Sequence, residues 1–144
     1  MDDDTNTRQQ RGWMVARQLA ARGIRDARVI EAMGRIPRHA FVAAAMRGEA
    51  YEDSPLPIEE GQTISQPYIV ALMLQAARLG ADDRMLEVGA GSGYASAVAA
   101  QLASRIAGWP GGDVGVGDNV GIDDRRGARS GRGRRLVLTR PLLP

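Results

Sequence analysis

Met85-Leu86-Glu87-Val88-Gly89-Ala90-Gly91-Ser92-Gly93-Tyr94 is the stretch whose reading decides the fold. Its first four residues, apolar except for Glu87, read as a short buried strand. Three glycines follow at alternate positions. Tyr94 to Ser104 then reads as an alanine-rich helix that buries Ala97, Val98 and Leu102. A glycine turn lets the backbone take positive φ and lets a ligand approach with no Cβ in the way. The helix start just beyond it offers N–H groups and partial positive charge. Loops at the carboxyl ends of strands are where open α/β sheets bind ligands. The dinucleotide pattern G-x-G-x-x-G would place its third glycine at position 94, which is Tyr, so the spacing is a different one. Taken alone, the glycines are also consistent with a turn that only joins strand to helix.

Upstream, Asp82-Asp83 makes a turn, and Gly80 stops a helix over Tyr68–Leu79 whose inner face is Ile69, Leu72, Met73, Ala76 and Leu79. Tyr51 to Pro67 holds Pro55, Pro57, Gly61 and Pro67 and shows little periodicity. A connection of that length is usually functional or disordered. Earlier still, Arg8 to Arg22 has a helical pattern, with Trp13, Val15, Leu19 and Ala20 inward and Gly23 as C-cap. Asp26 caps a helix over Ala27–Arg35, with Val29, Ile30 and Met33 inward and Pro37 ending it. Phe41, Val42 and Met46 predict one more short helix, and residues 1–7 a frayed tail.

Downstream the composition breaks. Gly108 to Arg135 contains nine Gly, six Arg and four Asp, with no period of 2 or 3.6. That composition predicts a disordered or poorly packed segment. Residues 106–112 make a poor strand. Leu136-Val137-Leu138 could form a last one, shortened by Pro141 and Pro144.

The totals exclude several classes. At 144 residues, 44% apolar and 25% charged, the chain is one globular domain at most. There is no cysteine and a single histidine, His39, so neither a thiolate nor a multi-histidine metal site is expected. The net charge of +2 is too small to argue for nucleic acid. The Arg/Gly-rich tail also lacks the interleaved aromatics that stack on bases. No apolar run is long enough for a membrane span, and the acidic N-terminus does not read as a signal peptide. The cytoplasm is the expected compartment.

Four pieces carry a family resemblance: Ile36-Pro37-Arg38-His39-Ala40-Phe41-Val42, Tyr51-Glu52-Asp53-Ser54-Pro55-Leu56-Pro57-Ile58, Gly61-Gln62-Thr63-Ile64-Ser65-Gln66-Pro67, and the glycine stretch. In order and spacing they resemble the N-terminal half of the protein-L-isoaspartate O-methyltransferases. The pattern E-x-G-x-G-x-G resembles the first motif of the class I S-adenosylmethionine-dependent methyltransferases to which that family belongs. The fold this implies is α/β and Rossmann-like, truncated after the first strand–loop–helix, with an N-terminal helical subdomain. The implied organisation is a tail at 1–7, the methyltransferase half at 8–106, and an atypical Gly/Arg-rich tail at 107–144.

The resemblance implies methyl transfer from S-adenosylmethionine to the α-carboxylate of L-isoaspartyl residues in damaged proteins. It implies that Gly89, Gly91, Ser92 and Gly93 face the cofactor, and that Thr63 and Ile64 line the same pocket through backbone groups. Glu87 would accept a hydrogen bond from the cofactor's ammonium group, or else cap the following turn. Ser65 matches the family's active-site serine and would position the substrate carboxylate or the cofactor; on its own it reads as a helix N-cap. No nucleophile is needed. Tyr94 either stacks near the cofactor or packs on the sheet. His39 reads as a surface or capping residue, and Asp53 as a turn former or a substrate contact.

The chain also departs from the family. Spacing puts the expected ribose-binding acid near Asp113, but in a segment that is a poor strand. The later strands have no counterpart, and a sheet with one convincing strand cannot bury both its faces. A change of reading frame after Ile106 would explain this; translating the other two frames would test it. The alternatives are therefore an inactive fragment of that enzyme or a non-enzymatic module that binds a partner or RNA.

Overall fold

The structure, a computed structural model, describes residues 3–58, 61–109 and 135–139. Helix α1 (Thr5–Trp13) starts before the expected Arg8. Asp4 is its N-cap, accepting the Thr7 N–H at 2.7 Å, and the Asp3 carboxylate takes two bonds from Arg11 at 2.9 and 2.8 Å. The helix widens into a π-type turn at Met14–Leu19, tightens at Ala20–Arg22, and closes on Gly23 with φ 96°. Its buried face is Arg11, Met14, Gln18 and Leu19; Trp13 and Ala20 point outward, against expectation. Two of the four inward side chains are polar, so apolar periodicity alone selected a face about one residue off.

Helix α2 (Ala27–Arg35) follows the reading closely. Asp26 accepts the Arg28 N–H at 2.9 Å, and Val29, Ala32 and Met33 are buried. In place of one further helix there are two 3₁₀ segments, Arg38–Phe41 and Ala44–Glu49. The long connection carries an antiparallel pair, β1 (Leu56–Pro57) and β2 (Thr63–Ile64), with Leu56 opposite Ile64.

Helix α3 (Pro67–Ala77) begins on proline, whose missing N–H costs nothing in a first turn, and ends at Arg78 with φ 49°. Its buried face is Pro67, Val70, Ala71, Leu74 and Ala77. The expected Leu72 and Ala76 lie outside. Residues 68–74 are apolar without a break, so the pattern held no phase from which to choose the face.

Strand β3 (Arg84–Val88) and helix α4 (Tyr94–Ala99) form the predicted strand–loop–helix, with α4 passing into turns before Ser104. The sheet, however, has more than one strand. Strand β4 (Arg105–Trp109) runs parallel to β3 on one side and β5 (Arg135–Thr139) parallel on the other, in the order β4-β3-β5. The reading of residues 106–112 as a poor strand is overturned for 106–109, and the 106/107 boundary falls inside β4. Residues 110–134, including Asp113, lie outside the described residues.

The two faces of β3 differ. Met85 and Glu87 are buried beneath α3 and α4, while Leu86 and Val88 are half-buried and Ala107, across from Leu86, is exposed. Met85 and Tyr94 join the helical subdomain in one continuous core that includes Met14, Met33, Leu74 and Val98. No helix among the described residues is long and apolar enough to cross a membrane.

Candidate functional site

In the order β4-β3-β5, the chain leaves β3 toward one side and later returns to the other. The carboxyl end of β3 is thus a point where strand order reverses, the place where such sheets form a ligand crevice. The glycine loop sits there. Gly89, Gly91 and Gly93 have φ of 77°, 53° and 80°, a region costly for any residue with a Cβ. At Gly93 an added Cβ would meet no atom within 4 Å, so the constraint there is the backbone angle and not crowding. Ser92 Oγ accepts the Tyr94 N–H at 3.3 Å and fixes the first turn of α4.

Glu87 is 2% exposed, and its carboxylate accepts a hydrogen bond from Ser96 Oγ on α4. It lies on the same small cavity as Ser65, with Val70, Met73 and Leu74 of α3, Met85 of β3 and Ala95 of α4 completing the wall. The cleft between them is narrow, with about 10 Å³ of room, enough for roughly one water. Two polar side chains distant in sequence therefore converge inside an otherwise apolar wall. Ser65 reaches it because β2 pairs with β1 immediately before it and α3 begins immediately after. Ile64 sends its side chain into the core and Thr63 points outward; neither side chain lines the cavity.

Tyr94 takes the packing role. Its ring is 1% exposed, edge-on to Phe41 at 5.5 Å, under the Arg38 guanidinium at 5.1 Å, and its hydroxyl reaches Met33 Sδ at 3.7 Å. Burial pushes the Tyr94 hydroxyl well above its ordinary range. The residue thereby ties the helix after the glycine loop to the helical subdomain.

His39 is not a surface residue. It is 3% exposed, and Nδ1 lies 2.7 Å from the Tyr51 hydroxyl, which also accepts from Arg11 at 3.2 Å. That oxygen accepts from Arg11 and shares its second hydrogen bond with His39 Nδ1. Burial raises the Tyr51 hydroxyl from its ordinary value, with Arg11 opposing the shift. Asp53 pairs with Arg22, whose guanidinium also stacks 3.9 Å over the Tyr68 ring. His39 and Asp53 lie outside the cavity wall; His39, through Tyr51, and the Asp53–Arg22 pair hold the start of the segment that presents Ser65, and Arg22 on Tyr68 holds the residue after its end. Hydrophobic patterning missed this Arg11–Tyr51–His39 cluster, because α1 is polar at nearly every position and its sequence singles out no inward polar residue.

The donor chemistry suits the methionine end of a sulfonium cofactor. A buried carboxylate can meet an ammonium, and a loop of left-handed glycines exposes backbone beside it. Among the described residues, no group of three His, Asp or Glu side chains is arranged to hold a metal ion.

Comparison with known proteins gives a consistent answer. The family described as Protein-L-isoaspartate(D-aspartate) O-methyltransferase matches residues 10–116. Protein-L-isoaspartate O-methyltransferase 1 of Rhodopseudomonas palustris (strain HaA2) is 57% identical over 105 residues, 73% of this chain and 43% of that protein. Protein-L-isoaspartate O-methyltransferase 2 of Anaeromyxobacter sp. (strain Fw109-5) is 61% identical over 99 residues, 69% of this chain and 41% of that protein. A crystal structure of a putative family member from Plasmodium falciparum, in complex with S-adenosyl-L-homocysteine, superposes with a TM-score of 0.56 at 28% identity. It covers 68% of this chain and 47% of that one. The chain thus spans less than half the length of the relatives it matches. Its α/β architecture is the corresponding part of their class I methyltransferase fold, and the chain belongs to the protein-L-isoaspartate(D-aspartate) O-methyltransferase family.

Proposed function

We propose that this chain serves the methylation of the α-carboxyl group of L-isoaspartyl residues in damaged proteins, with S-adenosylmethionine as methyl donor, in the cytoplasm. The observation that carries the proposal is the convergence of Ser65 and Glu87 on one apolar-walled cavity at the carboxyl end of β3. Bound beside Glu87, S-adenosylmethionine would supply an activated methyl on its sulfonium, which the substrate carboxylate oxygen would take up as the carbon–sulfur bond breaks. No proton moves in that step, because a carboxylate is already ionised at neutral pH.

The chain's own residues then have three tasks. Glu87 holds the ammonium of the methionine end, and Gly89, Gly91 and Gly93 let the loop backbone approach it. Ser65 Oγ orients the acceptor carboxylate in line with the methyl, the step in which positioning supplies most of the barrier reduction. Val70, Met73, Leu74 and Met85 keep water away from a reaction in which opposite charges annihilate. Thr63 and Ile64 act through the β2 backbone that delivers Ser65, and Ser92 by holding the first turn of α4.

A second reading, family geometry retained without turnover, is favoured by the outer face of β3, where Leu86 and Val88 are only half-buried. One assay separates the two. Labelled S-adenosylmethionine is offered with peptide pairs that differ only in aspartyl or isoaspartyl linkage. Label on the isoaspartyl peptide alone, lost in Ser65→Ala, supports the enzyme. No label on either peptide from folded protein supports the second reading.

A further inference from the structure

Ser96 donates a hydrogen bond to Glu87. Its hydroxyl reaches Glu87 Oε2 from the third residue of α4, in a part-buried position. The neighbouring strand leaves room for that bond. Gly108 of β4 lies in register with Glu87, and a Cβ built on Gly108 would sit 3.2 Å from Ser96 Oγ and 3.0 Å from the Ala90 Cβ. Both distances are tighter than ordinary van der Waals contact. Any side chain at 108 would therefore press on the glycine loop and on the hydroxyl that holds the carboxylate.

We infer that Ser96 and Gly108 form a positioning pair for Glu87: Ser96 by its hydrogen bond, Gly108 by the clearance it leaves. The inference rests on the proposed cofactor reading and extends it to two residues outside the cavity wall. A carboxylate has several rotamers open to it, and an ammonium needs it in one of them. Fixing that rotamer beforehand spares the ligand the ordering cost. A serine hydroxyl is short enough to do this only because the facing strand has no side chain at that point.

The test measures S-adenosyl-L-homocysteine binding by calorimetry together with the Glu87 side-chain carboxyl ¹³C signal. Ser96→Ala is expected to weaken binding on the order of ten-fold, the usual scale for a hydrogen bond to a charged group. Ser96→Thr should restore binding, since it keeps the hydroxyl; a purely packing role for Ser96 would not produce that rescue. Gly108→Ala should match Ser96→Ala, and the double variant should be little worse than either, because both act on one bond. In each weakened variant the Glu87 carboxyl signal should move without ligand. If wild type binds and Ser96→Ala binds equally well, the inference is overturned and the cofactor reading stands. If wild type does not bind although the Glu87 signal responds to Ser96→Ala, the cofactor reading falls and takes the positioning role with it.

Discussion

Arg11→Ala should be among the most damaging single changes in the helical subdomain, and its size can be worked from the contacts. Arg11 is 6% exposed. Its Nε donates to the Gly34 carbonyl at 2.7 Å, one of the last carbonyls of α2 that has no partner within the helix. A cation there also opposes the negative end of the helix dipole. Its NH1 donates to the Tyr51 hydroxyl at 3.2 Å, and NH1 and NH2 clasp Asp3. Losing a charge-assisted bond to a part-buried carbonyl costs about 1.5–3 kcal/mol. The longer bond to Tyr51 and the buried aliphatic stem bring the expected loss to about 3 kcal/mol. With a urea slope of about 2 kcal/mol/M, the midpoint should fall by about 1.5 M. Asp3→Asn is the control. The Arg11 bond holds the Asp3 carboxyl well below its ordinary 3.8, so that pairing stabilises above pH 3.8 and is lost as pH falls below it. At pH 7 Asp3→Asn should therefore shift the midpoint in the same direction but far less, because Asp3 is solvent-accessible and screened. Urea titrations followed by circular dichroism at pH 7 decide the matter. If Arg11→Ala costs no more than Asp3→Asn, Arg11 acts as a surface ion-pair residue, and the argument that it binds α1 to α2 and to Tyr51 is refuted.

Arg22→Ala removes both the Asp53 ion pair and the stack on Tyr68, yet Arg22 is 43% exposed, so global stability should change by less than about 1 kcal/mol. Amide exchange at residues 61–66 should nevertheless quicken, and unchanged exchange there would show that Arg22 does not restrain the Ser65 segment. Tyr94 has its hydroxyl raised above its ordinary 10.0 by burial, so its contribution is intact below pH 10 and is lost as pH rises beyond it. Thermal midpoints of Tyr94→Phe measured from pH 7 to 12 should match wild type at neutral pH and fall less steeply above pH 10. Leu74→Ala opens the cavity wall into the core, where Leu74 is 2% exposed, and should cost about 2–5 kcal/mol by urea titration.

Much of this architecture was legible in the residues because local chemistry and burial agreed. Asp26 before Val29 and Met33, and the glycines after Met85 and Val88, each specify an element end and an inner face at once. Reading failed where the two signals parted. In α3 an unbroken apolar run left the phase undefined, and packing against the sheet made the choice. In α1 and the π-type turn that follows it, the inner face carries Arg11 and Gln18, which hydropathy scores as solvent-facing although each donates to a backbone carbonyl. His39 failed for the same reason: its partner, Tyr51, comes from a segment whose path no periodicity reveals.

Strand β4 is the most instructive failure, because the feature that hid it is the feature the site uses. Glycine is a weak strand former, and Gly108 beside Pro110 made Arg105–Trp109 look like the start of a linker. In a parallel sheet, though, a strand is held by its ladder with β3, and its side chains are chosen by what lies above them. Above Gly108 lie the Ala90 Cβ and the Ser96 hydroxyl, at 3.0 and 3.2 Å from where a Cβ would sit, so a side chain there would have to push them back. A residue with good strand propensity there would strengthen β4 as a strand and displace the group that aims Glu87. The glycine is thus better explained by the carboxylate it lies in register with than by the strand it sits in. The same logic accounts for Glu87, a charged residue on the buried face of β3: it costs the sheet burial energy and places a carboxylate where the glycine loop begins. Local propensity is violated twice within one register pair, at Glu87 and Gly108, and both violations fall at the carboxyl end of the strand where the chain reverses its direction across the sheet.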